Sequence, residues 1–138
     1  MERSLTVPAR FAELAHIAEF IAQAGREAGL DERSLFHVQM AVDEACSNII
    51  EHAYGGESDE PIRLSWHCEG EKFIVTIHDW GKPFDPSTVP EPRLDVPLEE
   101  LPVGGLGLYI MRKLMDEVTF RFDEVEGNTL RMVKRCPR

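Results

Sequence analysis

Between Gly81 and Pro102 the chain carries six of its nine prolines, Pro83, Pro86, Pro90, Pro92, Pro97 and Pro102. Proline lacks the N–H that helices and ladders need, and its ring clashes with the preceding turn, so neither helix nor strand extends through such a density. A structureless stretch of about twenty residues inside a compact domain is usually a lid, a binding loop or an insert. The chain after it is too short for a second domain, so a lid is the expectation. Directly afterwards come Gly104, Gly105 and Gly107, leading into apolar residues at helical spacing. Glycines let backbone N–H groups approach an anion closely, and the free N–H groups and dipole of a helix start favour negative charge. Taken alone, Gly104-Gly105-Leu106-Gly107 reads either as a phosphate-binding junction or as a plain loop-to-helix turn.

Upstream of the prolines, Ser4 to Val7 reads as a short strand ended by Pro8. Phe11, Leu14, Ala15, Ala18, Ile21 and Ala22 then recur at helical spacing up to Gly25 and Gly29, which predicts an amphipathic packing helix. Asp31 and Ser34 offer N-caps for a second helix running through Tyr54 and stopping at Gly55-Gly56. Projected at about 100° per residue, Val38, Val42, Ala45, Ile49 and Ala53 form one apolar arc, and Glu44 and Asn48 stack beside it with Ala41 and His52. An acid and an amide flanked by Ala and Ile either sit on a solvated edge or are matched to a partner, since half-buried polar groups need one. Two strands follow as a hairpin, Ile62–Cys68 and Lys72–His78, joined by Glu69-Gly70-Glu71. In the second, Phe73, Val75 and Ile77 share a face that Asp79 continues. Asp79-Trp80-Gly81 is therefore either a strand-ending turn with an Asx hydrogen bond or an acid at the mouth of an apolar pocket, poised to accept from an amino group.

After the prolines, Leu108, Met111, Leu114 and Met115 make the apolar stripe of a third helix. Val118, Phe120 and Phe122 alternate as a strand, Gly127-Asn128 supplies a turn, and Thr129 to Lys134 forms the last strand. This order predicts an α+β fold: a two-layer α/β sandwich, with a mostly antiparallel sheet and the helices on one face.

The bulk composition narrows the function classes. A formal charge of −10 without any Lys/Arg cluster argues against a nucleic-acid binder and favours a basic partner, or serves solubility alone. Cys46, Cys68 and Cys136 are odd in number and widely spaced, which fits reduced thiols rather than a disulfide or zinc framework. The five histidines form no metal-ligand spacing. No N-terminal run resembles a signal peptide and no stretch approaches the roughly 20 apolar residues of a membrane span, so a cytoplasmic protein without membrane contact is expected.

In order along the chain, Glu44-x-x-x-Asn48 on a helix, Asp79-x-Gly81 after a strand and Gly104-Gly105-x-Gly107 after a lid resemble the three nucleotide-binding boxes of the GHKL ATPase superfamily. Within it, Asp43–Tyr54, Asp79–Asp85 and Gly104–Val118 are similar to the RsbW-like anti-sigma factor serine/threonine kinases of bacterial partner-switching systems, and the likeness runs from the first strand to Thr129. The resemblance implies a single ATP-binding domain over residues 1–138 with the Bergerat-type fold and an ATP lid at about residues 81–104. It implies that Asn48 supplies a side-chain oxygen to Mg²⁺ and that Glu44 orients or deprotonates the attacking hydroxyl. Asp79 would accept from the adenine amino group, with Gly81 letting the base lie against the backbone and Thr129 helping to hold adenine, through water. Gly104, Gly105, Leu106 and Gly107 would carry the phosphates.

The implied activity is transfer of the ATP γ-phosphoryl group to a STAS-type anti-sigma factor antagonist, together with sequestration of a sigma factor. A homodimer is common among such proteins. The alternative is a non-catalytic ATP-binding module that acts by sequestering its partner. Glu99–Val103 holds no Arg or Lys to neutralise a γ-phosphate, which leaves Lys82 and Arg93 as the cations available around the lid.

Overall fold

The computed structural model describes residues 3–83 and 105–136, with the side chains of Gly105 and Leu106 left aside. The expected lid beyond Pro83, including Arg93 and Gly104, lies outside the described residues.

Five strands form one sheet: β1 (Arg3–Pro8), β2 (Pro61–Glu69), β3 (Lys72–Asp79), β4 (Glu117–Asp123) and β5 (Gly127–Arg135). Their order is β1-β2-β3-β5-β4 and every neighbouring pair is antiparallel. Among the described residues, three α-helices, α1 (Leu14–Ala28), α2 (Glu32–Asn48) and α3 (Gly105–Leu114), accompany the sheet. The sheet's helix-bearing face follows from the register. Trp66, Val75 and Met132 lie in one row across the sheet, and Leu64, Ile77 and Leu130 in the next. These side chains form a single buried cluster with Ile17 and Ile21 of α1, Val38, Ala41, Val42 and Ala45 of α2, and Leu108 and Met111 of α3. A two-layer α+β sandwich is thus what the alternation of strands and the helical arcs require.

Local chemistry sets the ends of these elements. Gly29, with φ of 81°, closes α1 in the left-handed region that glycine occupies without strain. Asp31 caps α2, its side chain accepting from Ser34 N at 2.7 Å. Pro8 and Pro61 face each other where the β1–β2 ladder begins, at a strand end where missing donors cost least.

Two details differ from the sequence expectation. The second helix does not run regularly to Tyr54. After Asn48 it widens into a π turn over Ile49–Ala53, closed by Tyr54 N donating to Ile49 O at 3.0 Å. Such turns re-aim a helix and concentrate at functional sites. The last hairpin also does not turn at Gly127-Asn128. Its turn lies at residues 124–126, where Asp123 Oδ1 accepts from Val125 N and Glu126 N, each at 2.8 Å, and Gly127-Asn128 already belongs to β5.

A partly buried cation ties the two layers together. Lys134, on β5, donates to the carbonyl of Leu114 at the end of α3 at 2.6 Å and to His37 Nδ1 on α2 at 3.0 Å. A cation at a helix C-terminus satisfies a free carbonyl and opposes the helix dipole. Burial, and then the Lys134 charge, hold the His37 imidazole below its ordinary pKa. Its neutral form therefore favours the folded state, and its stabilising contribution is present above the unfolded value of about 6.5 and lost as pH falls through the folded value. The melting temperature of His37→Gln is accordingly expected to fall less than that of the parent between pH 7.5 and 5, as thermal melts across that range would show.

Candidate functional site

Two segments meet the second half of α2 and its π turn, and a third, the start of β5, holds the second of them in place. The first is α3. Glu44 and Asn48 project from α2 one turn apart, both half-buried, and Gly107 in the first turn of α3 faces them directly. A methyl group on Gly107 would lie 2.9 Å from Asn48 Nδ2 and 3.1 Å from Glu44 Oε2, so only glycine lets the helix start sit against this acid and amide. Helix α3 begins at Gly105, which places Gly105, Leu106 and Gly107 in its first turn, where backbone N–H groups have no partner within the helix. Burial, followed by the charges of Asp43 and Glu51, raises the Glu44 pKa above its usual range. A carboxylate raised in this way is a better proton acceptor at neutral pH than an ordinary glutamate.

The second segment is the end of β3. Asp79 is 6% exposed, and its Oδ1 accepts from Gly81 N at 2.9 Å and from Asn128 Nδ2 at 2.9 Å. The two readings of this aspartate are therefore compatible, because the Asx turn uses one carboxylate oxygen and leaves the other. The turn docks on the π turn of α2. Lys82 N donates to Ala53 O at 2.8 Å, and a Cβ on Gly81 would meet that same oxygen at 2.5 Å. Gly81 is thus needed where β3 meets the helix, a packing reason that the sequence does not display. Tyr54 locks the junction: its hydroxyl accepts from Trp80 N at 2.9 Å and donates to Pro61 O at 2.7 Å.

The third segment is the start of β5, where Thr129 and Asn128 follow one another. Thr129 pairs with His78, and its hydroxyl lies 3.4 Å from His78 Nδ1. Side chains alternate along a strand, so Thr129 sits on the face opposite Asp79. The residue that reaches Asp79 is Asn128, its register partner, which is 7% exposed and also donates to Gly81 O at 3.0 Å. Period-two alternation would have found it once the turn was placed at residues 124–126 rather than at Gly127-Asn128.

No three His, Cys, Asp or Glu side chains converge to hold a metal among the described residues. Among the described residues, the polar groups nearest Gly107 are the Glu44 carboxylate and the Asn48 amide. That is a set of hard oxygen donors too small to enclose an ion, and it fits Mg²⁺, which keeps several waters and shares substrate phosphates.

The family model described as the histidine kinase-like ATPase domain matches residues 7–134. The chain belongs to this family. Among its relatives, a protein of Bacillus mycoides named serine-protein kinase RsbW is 30% identical over 138 residues, covering 97% of this chain and 84% of that protein. One of the same name from Listeria innocua is 33% identical over 101 residues, which is 70% of this chain and 64% of the relative's length. The crystal structure of the RsbU and RsbW domains of a Mycobacterium tuberculosis protein superposes over the whole chain with a TM-score of 0.72 at 17% identity. This chain spans 33% of that longer one, and the likeness shows the fold. In a histidine kinase-like ATPase the nucleotide is ATP. The described helices include none long and apolar enough to cross a membrane.

Proposed function

We propose that this histidine kinase-like ATPase is an RsbW-like protein-serine/threonine kinase and anti-sigma factor. It transfers the γ-phosphoryl group of ATP to a hydroxyl on a STAS-type antagonist, and it sequesters a sigma factor that the unphosphorylated antagonist releases. The observation that carries the reading is the contact of Gly107 with Glu44 and Asn48, which joins an acid of raised pKa, an oxygen donor and a helix N-terminus in one place.

The roles follow from the chemistry of each group. The first-turn N–H groups of α3 hold the phosphates, where the helix dipole adds to their hydrogen bonds. Glu44 takes the proton of the incoming hydroxyl, and its raised pKa keeps it basic enough to do so near neutral pH. Asn48 contributes its amide oxygen to Mg²⁺, which when bound neutralises charge on the phosphates. The free oxygen of Asp79 accepts from the adenine amino group at the other end of the site. The acidic net charge of −10 suits partners with basic surfaces.

The test is incubation with γ-labelled Mg-ATP and a purified STAS-domain antagonist protein. Label on a Ser or Thr of that protein is the expected result. Nucleotide binding without any transfer would overturn the kinase reading in favour of a sequestering module. Asn48→Ala is expected to weaken binding about tenfold or more in the presence of Mg²⁺ while changing Mg-free binding little. Isothermal calorimetry with and without EDTA measures both.

A further inference from the structure

The sheet has a second face, and its charge is the reverse of the chain's. Residues directly opposite one another across a ladder share a face, so the register defines two rows that cross all five strands on the side away from the helices. Of their ten positions, three are Arg63, Arg121 and Arg131, one is His78, and the other six are all serine or threonine. All ten are exposed or half-buried, and none is acidic although the chain carries a net charge of −10. The described helices pack on the opposite face. Acids that border the two rows are already engaged. Glu117 Oε2 lies 3.4 Å from Lys72 Nζ, Glu69 Oε1 lies 3.2 Å from His67 Nε2, and Asp123 Oδ1 accepts from Val125 N and Glu126 N. Among the described residues, none of the three arginines has a carboxylate partner.

We infer that this face is a docking surface for an acidic segment of a partner protein, whose carboxylates are received by Arg63, Arg121 and Arg131. A guanidinium offers two parallel N–H donors to a carboxylate, and the hydroxyls around it can donate to oxygens left over. The spacing suits an extended chain. Strands lie about 4.8 Å apart, so Arg63 on β2 and Arg121 on β4 stand about 14 Å apart in one row, with Arg131 between them in the other. An extended segment rises about 3.3 Å per residue, so about five residues cover that distance. A second copy of the chain fits poorly, because two-fold pairing would set this face against itself, arginine towards arginine. A nucleic acid fits poorly as well. Its phosphates would run past the two rows to within a Debye length, about 8 Å, of the bordering acids, and the exposed aromatic at the margin, Trp80, already stacks on His78 at 4.4 Å. Ion pairs on so open a surface are individually weak and screened by salt, which makes the contact transient. The face lies opposite the helix layer, so its occupancy is independent of nucleotide.

Fluorescence anisotropy with the full chain and a fluorescein-labelled hexaglutamate peptide tests this. The parent is expected to bind hexaglutamate and not hexaglutamine, and to lose about tenfold in affinity between 50 and 300 mM salt. Replacing Arg63 and Arg131 together by glutamine is expected to weaken the peptide about tenfold, whereas Arg26→Gln, which removes the same charge from an exposed position on α1, should change it less than about twofold. Arg63→Gln and Arg131→Gln are also measured singly, so that the comparison stands even where the double variant loses its fold. Absence of binding by the parent, or an equal effect of Arg26→Gln, overturns the inference. So does displacement of the peptide by saturating Mg-ATP, which would place it at the start of α3 instead. A thymidine hexanucleotide that binds as tightly as hexaglutamate, with the same dependence on Arg63 and Arg131, would make the occupant a nucleic acid rather than a protein segment. Sedimentation equilibrium supplies the last outcome: a parent dimer that the arginine variants split into monomers would make this face a contact between copies of the chain, and would likewise overturn the inference.

Discussion

Glu44→Gln is expected to bind Mg-ATP as the parent does, to transfer phosphate about 10²- to 10⁴-fold more slowly, and to melt at a higher temperature near neutral pH. The three effects have one cause. Glutamine keeps the shape of the side chain and an oxygen toward Gly107, so the phosphate end of the site is undisturbed, but it cannot accept a proton. The gain in stability follows from the direction of the Glu44 shift. Burial, with Asp43 and Glu51 nearby, raises its pKa in the folded protein, so the folded state holds the proton more tightly than the unfolded chain. The contribution of this group is then fully present below the unfolded pKa and declines as pH rises through the folded one. At pH 7.5 the ionised carboxylate is a cost that glutamine removes. The difference in melting temperature between Glu44→Gln and the parent should be largest at pH 7.5 and vanish as pH approaches 4. Parental transfer rates in the variant would remove Glu44 from the chemistry. A melting difference independent of pH would remove the ionisation as its cause.

How far this site could be read from the sequence depended on whether a residue's task is local. The stacking of Glu44 and Asn48 follows from helical spacing, and the strand running into Asp79 follows from alternation, so both stand where the pattern puts them. Gly127-Asn128 misled because that dipeptide is also a favoured hairpin turn. Gly127 is glycine for another reason: at φ of 90°, a Cβ there would lie 2.7 Å from the Asp79 carbonyl and 2.9 Å from the Trp80 ring. The actual turn is made three residues earlier by the side chain of Asp123. Thr129, the residue that the resemblance set beside adenine, pairs with His78 and so lies on the face opposite Asp79, whereas Asn128 pairs with Asp79 itself. The π turn was not legible at all. Its Ala53 carbonyl is taken by Lys82 N, a residue distant in sequence, and no local period encodes that contact.

The same substitution at two glycines is expected to separate stability from function. Gly81→Ala places a methyl group 2.5 Å from Ala53 O and 2.7 Å from Ala53 C, both backbone atoms of a turn already committed to Tyr54 and Lys82. Neither side can yield without breaking the dock between β3 and α2. Overpacking of this kind costs about 1–3 kcal/mol, which for a domain of this size lowers the melting temperature by roughly 3–12 °C. Gly107→Ala instead meets Asn48 Nδ2 at 2.9 Å and Glu44 Oε2 at 3.1 Å, which are the far ends of side chains that can rotate away. The fold gives way cheaply there, and alanine within a helix is favoured over glycine by about 0.5–1 kcal/mol, so the melting temperature should hold or rise slightly. On the proposed function the penalty falls on the site, since Glu44 and Asn48 are displaced from the helix start assigned there to the phosphates. Mg-ATP affinity is expected to drop about tenfold or more and transfer by more than that, because a displacement near 1 Å alone can cost about 10²-fold in rate. Thermal melts and nucleotide titrations on the two variants, side by side, give the comparison. Loss of stability in Gly107→Ala with intact binding would mean that this glycine serves helix packing alone, and that the meeting of α3 with Glu44 and Asn48 is not where the phosphates lie.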